Sequence, residues 1–256
     1  MTIENLVQSI LNASWGIYLV FIFIFIFMRI PKRKIFAPYR RSRGFMVVAF
    51  FFLFSQIFLG WTLPKNTLSA EVLAVIDIPF FYIEFIFLCL AFFHLLDHSF
   101  GTYKHVLFDL LSWCVVCAIC LASLTVKNHT FQIILAFVGS FMLICFTILC
   151  VLRFFRMHKI ARTQLDTYYT DQMYNFVLWI RRSIMFIVIF GVFSVAVLFA
   201  PYIFRVVYFV AATIMNVYIA VSFINYSFVF ERVERSFRLS YEQQILLKNS
   251  NPYLKH

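Results

Sequence analysis

The sequence predicts an all-α fold: a polytopic membrane helix bundle of seven transmembrane helices, with the N-terminus outside and the C-terminus cytoplasmic. Three observations carry this expectation. Hydrophobic residues make up 63% of the 256-residue chain and charged residues only 13%, against roughly 45–50% and about 25% in soluble domains. Seven apolar runs follow one another, each long enough to cross a hydrocarbon core of about 30 Å. Lys and Arg gather in alternate connections between those runs, as they do where basic loops are retained on the cytoplasmic side. Only six Gly and six Pro occur, too few for a turn-rich β chain. The composition excludes a disordered chain and an ordinary water-soluble enzyme.

The runs fall at 11–30, 44–63, 72–95, 106–125, 131–152, 176–200 and 206–229. Most lack the alternation of a membrane barrel strand. Helices are the expected form because lipid offers no partner to an unpaired backbone group. The first run has no basic segment before it, only Glu4. It closes on Arg29, Pro31, Lys32, Arg33 and Lys34 without a small-residue cleavage site, so it reads as an uncleaved span. The second follows Arg40, Arg41 and Arg43. The third carries Asp77, Pro79 and Glu84. The fourth holds Cys114, Cys117 and Cys120, spaced three apart. The fifth is followed by the longest expected loop, 153–175. The sixth begins beside Arg181 and Arg182, and the seventh starts at Arg205 and contains Asn216 and Tyr218. Residues 1–230 thus form a transmembrane domain, and 231–256 a short cytoplasmic helical tail. In that tail Glu231 precedes Arg235, and Glu234 precedes Arg238, by four residues, the favourable order for helical ion pairs.

The orientation comes from the charges. With the N-terminus outside, the first inner loop holds Arg29, Lys32, Arg33, Lys34, Arg40, Arg41 and Arg43, and the second holds Lys104. The third holds Arg153, Arg156, Lys159, Arg162, Arg181 and Arg182, and the tail holds Arg232, Arg235, Arg238, Lys248 and Lys255. Of the 22 basic residues only Lys65, Lys127 and Arg205 remain outside. The outer connections are too short for a folded external domain, so an external ligand has to bind among the helix ends or inside the bundle. All six Cys lie within apolar runs. That placement argues against a secreted disulfide framework and for small packing residues.

Two polar groups interrupt the apolar helices. Ionisable groups at bilayer depth are costly and need a partner or a wet cavity. Asp77 and Glu84 lie seven residues apart on one face of the third run, separated by about 10 Å. Asn216 sits at similar depth in the last run and Arg205 at its outer edge. The expected arrangement pairs Asp77 with Arg205 and hydrogen-bonds Glu84 toward Asn216. Asp77, Glu84, Asn216 and Arg205 are therefore the candidate ligand or proton site, with a structural clasp between helices as the alternative. The second group is His94, Asp97, His98, His105 and Asp109. His94 and His98 are four apart, a spacing that brings two imidazoles to one metal, and His105 and Asp109 repeat it. His94, His98, His105 and Asp109 are thus the candidate metal ligands, for zinc, iron or a His-held haem. The alternative is an interfacial cluster paired with Arg181 or Arg182. No phosphate loop, dinucleotide fingerprint or nucleophile elbow occurs. No catalytic set is assigned, no cofactor is implied, and the reading is not of an enzyme.

Several short stretches resemble one known family. They are Tyr39-Arg40-Arg41-Ser42-Arg43 before the second run, Ile78-Pro79-Phe80 in the third, and Asp166-Thr167-Tyr168-Tyr169-Thr170-Asp171 ahead of Leu178-Trp179-Ile180-Arg181-Arg182. Phe223-Ile224-Asn225-Tyr226 closes the last run. In order and topology these resemble the seven-helix N-terminal membrane domain of bacterial membrane-anchored AraC-type regulators and sensor kinases. The resemblance covers about residues 10–235 and implies a sensory input domain in the bacterial cytoplasmic membrane. Members of that family carry an output domain after the last helix, whereas this sequence stops at His256. A stand-alone relative, a truncated copy or an excised input domain is expected. Its expected partners are membrane lipids, a second copy through the last helix and tail, and a separate cytoplasmic output protein. No direct nucleic-acid binding is expected. A small transporter or channel using Glu84 is the second expectation, and a metal- or haem-binding membrane enzyme the third.

Overall fold

The computed structural model describes residues 3–62, 70–96, 103–125, 129–168, 172–198, 200 and 202–250, with only the backbone at 3–8, 60–62, 70–71, 160–168, 172–177, 234–250 and a few further positions. All the regular structure among these residues is helical. The elements are α1 (Ile3–Phe27), a short 3₁₀ turn (Lys34–Phe36), α2 (Ala37–Thr62), α3 (Ala70–Leu96), α4 (Tyr103–Thr125), α5 (His129–Tyr168), α6 (Gln172–Leu198) and α7 (Tyr202–Ser250).

Helix ends follow local chemistry more than hydropathy. Helix α1 stops at Phe27, short of Pro31, whose ring disfavours helical backbone at the residue before it. Helix α2 opens at Ala37-Pro38, where proline's fixed φ and missing N–H fit a first turn. The second run thus begins seven residues before its apolar stretch, and Tyr39 to Arg43 are helical. The largest correction concerns the loop expected at 153–175. No Gly or Pro occurs from Leu152 to Tyr168, and Phe154 and Met157 are buried. Helix α5 therefore continues for 40 residues, since loss of hydrophobicity marks the end of a lipid-facing stretch and not the end of a helix. Helix α7 runs for 49 residues, about 73 Å at 1.5 Å per residue.

Five helical stretches among the described residues are long and apolar enough to cross a membrane: Lys34–Leu59, Val75–Leu96, His105–Thr125, Thr130–Lys159 and Val206–Glu231. The apolar part of α1, Asn12–Phe27, is shorter, and α6 presents Arg181 and Arg182 on its exposed face. The outer surface is apolar over wide areas, with Phe228 83% exposed, Phe27 73% and Phe141 65%. Soluble monomers rarely expose contiguous apolar surface on this scale. The chain is an apolar helical bundle compatible with an integral membrane protein.

Helix α3 is the central element. In its apolar stretch 61% of residues are buried, against 22% in α4. It packs on α2, α4, α5 and α6, and α1 closes the bundle against α2 and α7. Close packing against α6 depends on Gly191. A β-carbon there would stand 3.0 Å from Phe85 Cε2.

Two fastenings hold the basic end, where the α1–α2 junction lies. Arg43 donates to the carbonyl of Met28 at 2.7 Å, and Arg40 donates to the carbonyls of Pro31 (2.7 Å) and Arg33 (3.2 Å). The bond to Met28 satisfies a carbonyl at the end of α1, and those to Pro31 and Arg33 tie the connecting segment to α2. Beside them Tyr39 stacks on Phe223 with ring centroids 4.7 Å apart and donates its hydroxyl to the Phe223 carbonyl at 2.7 Å. Phe230 packs on Tyr39, Tyr226 on Phe230, and Trp179 on Tyr226. Three of the short stretches quoted above therefore meet in one aromatic cluster joining α2, α6 and α7.

Candidate functional site

A small cavity opens where α1, α2, α3, α6 and α7 converge, with Leu143 of α5 on its wall. Its walls are mostly Leu, Ile, Phe and Met, and its polar groups are Tyr18, Gln56, Glu84, Ser194, Tyr208 and Asn216. The volume is about 40 Å³. A water needs roughly 10–15 Å³ by this kind of measure, so two or three waters fit and an organic ligand of ordinary size does not.

Glu84 lies deep in the bundle on α3, and its residual exposure is to the cavity. Among the described residues no hydrogen-bond donor or cation contacts its carboxylate. Asn216 is 1% exposed and faces the same space from α7. Its amide donates to the Tyr18 hydroxyl at 3.2 Å. Tyr18 in turn donates to Thr213 Oγ1 at 3.2 Å. Thr213 passes its single proton to the Phe209 carbonyl (2.8 Å) or to Ser14 Oγ (3.1 Å). The amide oxygen of Asn216 has no partner among the described residues. Asn216 is thus tied to α1 by its nitrogen, while Glu84 and Asn216 share the cavity without a hydrogen bond between them.

Asp77 lies two turns from Glu84 and accepts from Gln56 Nε2 of α2 at 3.1 Å. The expected Asp77–Arg205 pair cannot be placed, because the Arg205 side chain lies outside the described residues. Pro79 removes one helical hydrogen bond from α3, and Trp113 of α4 donates to the Pro79 carbonyl at 3.0 Å. This contact fastens α4 to the segment of α3 between Asp77 and Glu84.

Four of the cavity's polar groups were not among the sequence candidates: Tyr18, Gln56, Ser194 and Tyr208. The signal for the first lay in its spacing. Ser14 and Tyr18 are four apart on α1, and Thr213 and Asn216 three apart on α7, so each pair shares a face of an otherwise apolar helix. Gln56 is a lone amide in an aromatic-rich helix and is 5% exposed. Ser194 and Tyr208 bond to backbone carbonyls of their own neighbourhood, Gly191 at 2.8 Å and Phe190 at 3.1 Å, and carry no periodic signature.

The described members of the His and Asp group lie on two helices, His94 on α3 and His105 with Asp109 on α4. His94 is buried on α3 with the Phe45 ring edge-on to it at 6.3 Å. His105 is exposed at the start of α4. His98 and Asp97 lie outside the described residues. Asp109 is buried and pairs with Arg153 of α5 at 3.1 Å, whereas Arg181 and Arg182, its expected partners, sit on the exposed face of α6. Asp109 lies four residues, about one turn, past His105, on the flank of α4 that faces α5, so the nearer arginine takes it. Tyr82 and Ser112 extend this group, with Tyr82 donating to Ser112 Oγ at 3.1 Å. No set of three or more His, Cys, Asp or Glu side chains among the described residues is grouped to hold a metal ion. Cys114, Cys117 and Cys120 grade from exposed to buried along α4. Cys89 and Cys150 meet between α3 and α5.

Comparison with known proteins finds no matching family model, no matching curated protein and no matching solved structure.

Proposed function

We propose that this chain is a seven-span integral membrane protein of the bacterial cytoplasmic membrane, N-terminus outside and C-terminus cytoplasmic, acting as a sensory input domain. The observation that carries the reading is the continuity of α7. One unbroken helix bears Asn216 and Tyr208 on the cavity wall and runs on to Ser250, far beyond its apolar stretch. A change in what occupies the cavity acts on Asn216 and Tyr208, and a rigid helix carries that displacement along its axis to the basic end. The tail is the element through which a second copy, or a separate cytoplasmic output protein, would be engaged. The distribution of Lys and Arg supports the orientation, and the resemblance to membrane-anchored regulators supports the sensory role.

The test is a chimera that joins residues 1–240 to a reporter output. Signal dependent on the membrane domain, altered by Glu84→Gln or Asp77→Asn, supports the reading. A reporter indifferent to both substitutions in a properly inserted chimera overturns it. The second reading is a small carrier or channel, favoured by the Glu84 carboxylate facing the cavity at membrane depth. Proton or cation flux in reconstituted vesicles, abolished by Glu84→Gln, would establish it instead.

A further inference from the structure

We infer that the cavity between α1, α2, α3, α6 and α7 is a binding site for a small monovalent metal cation, held by the Glu84 carboxylate and the Asn216 amide oxygen. The inference rests on reading this cavity as the input site and names the chemical class of what occupies it.

Size comes first. A volume of about 40 Å³ admits a dehydrated alkali ion with one or two waters and excludes a sugar, an amino acid or a nucleotide. Donor chemistry comes second. Glu84 brings two oxygens and one formal negative charge, and among the described residues nothing else engages them. Asn216 Oδ1 is buried, unpartnered among the described residues and on the opposite wall. Ser194 and Tyr18 keep lone pairs after making their own hydrogen bonds. All of these are hard oxygen donors, the set that suits alkali and alkaline-earth ions and not zinc or copper. Charge decides between the last two classes. A divalent ion against one carboxylate leaves a net positive charge in an apolar interior, which is strongly unfavourable. A monovalent ion leaves the site neutral. Calcium also requires six to eight oxygens, usually from several carboxylates. The titratable groups facing Glu84 from the other helices are Tyr18 and Tyr208, with Asp77 two turns away on its own helix.

The experiment is thermal unfolding of the full chain in detergent, titrated with NaCl, LiCl or KCl against choline chloride at constant ionic strength and at two pH values. One alkali ion is expected to raise the midpoint saturably, by about 3–6 °C at tenfold excess over its Kd. Glu84→Gln, which preserves volume, is expected to abolish the rise, and Asn216→Ala to shift it to at least tenfold higher concentration. A wild-type midpoint indifferent to all three ions overturns the proposal, whatever the variants do. So does a midpoint that moves with pH alone, which would make the site a proton site. Binding read on the isolated protein is independent of the reporter chimera. Ion binding with a silent chimera rejects the sensory reading and leaves the site intact. A responsive chimera with no ion dependence rejects the site alone.

Discussion

Asp109 and Arg153 show how a single pair stabilises a helix contact at this depth. The Asp109 side chain is 3% exposed and the Arg153 side chain 25%, so neither charge is fully solvated. Removing one partner of such a pair leaves the other stranded, at a cost of about 3–5 kcal/mol, while replacing both with apolar groups of similar shape is often close to neutral. Arg153→Met is therefore expected to lower stability markedly. The double variant Asp109→Leu with Arg153→Met is expected to recover most of the loss. Thermal or denaturant unfolding in detergent checks both, and equal losses in the two would refute the pairing. The neighbouring Cys89 and Cys150 thiols are buried between α3 and α5 and are expected to resist maleimide in the folded protein and react only after denaturation, which a mass shift would reveal.

Among the elements, the packing of α6 on α3 has least room for change. Gly191 meets Phe85, and Phe85 is held from behind by Phe146 at 6.0 Å. Gly191→Val forces the ring or the helix aside, with an expected loss of about 1–3 kcal/mol. Because Phe85 also lines the cavity, the same substitution is expected to weaken any cavity occupant, measured as the ion-dependent midpoint. The elements are also where the sequence is most and least informative. The spans of α3 and α4 can be read within three residues at either end, since their apolar runs nearly coincide with their helices. The ends of α5 and α7 cannot be read from hydropathy, because both helices leave their apolar stretch without a breaker. The start of α2 is legible only through Pro38, and a charge count alone assigns that segment to a loop.

For the molecule as a whole, burial and surface divide by helix. Helix α3 is enclosed, and the others turn apolar faces outward. Accessibility tagging of single cysteines on a Cys-less background is expected to label positions in 63–69 and 126–128 from outside and the exposed positions 32–34 from the cytoplasm. Labelling of all three from one side would remove the seven-span topology. The cavity was half legible. Glu84, Asp77 and Asn216 stand out as polar residues in apolar helices, but nothing in a linear pattern shows that α1 and α2 supply the remaining walls. Nor does it show that Asn216 turns its nitrogen to Tyr18. Those facts depend on which helices are neighbours; α1, α2 and α3 adjoin in chain order, but the approach of α6 to α3 and of α7 to α1 is set by packing and not by sequence adjacency.

The arginines of the α1–α2 corner have a consequence for how the chain can change. Arg40 and Arg43 belong to the cluster that would anchor this corner in the cytoplasm during insertion, and they also knit it shut. Neutralising them to flip the chain would loosen the same corner, so an inverted descendant would arrive already weakened. Under the proposed orientation, compass and rivet would be the same two side chains, and selection acting on one would guard the other.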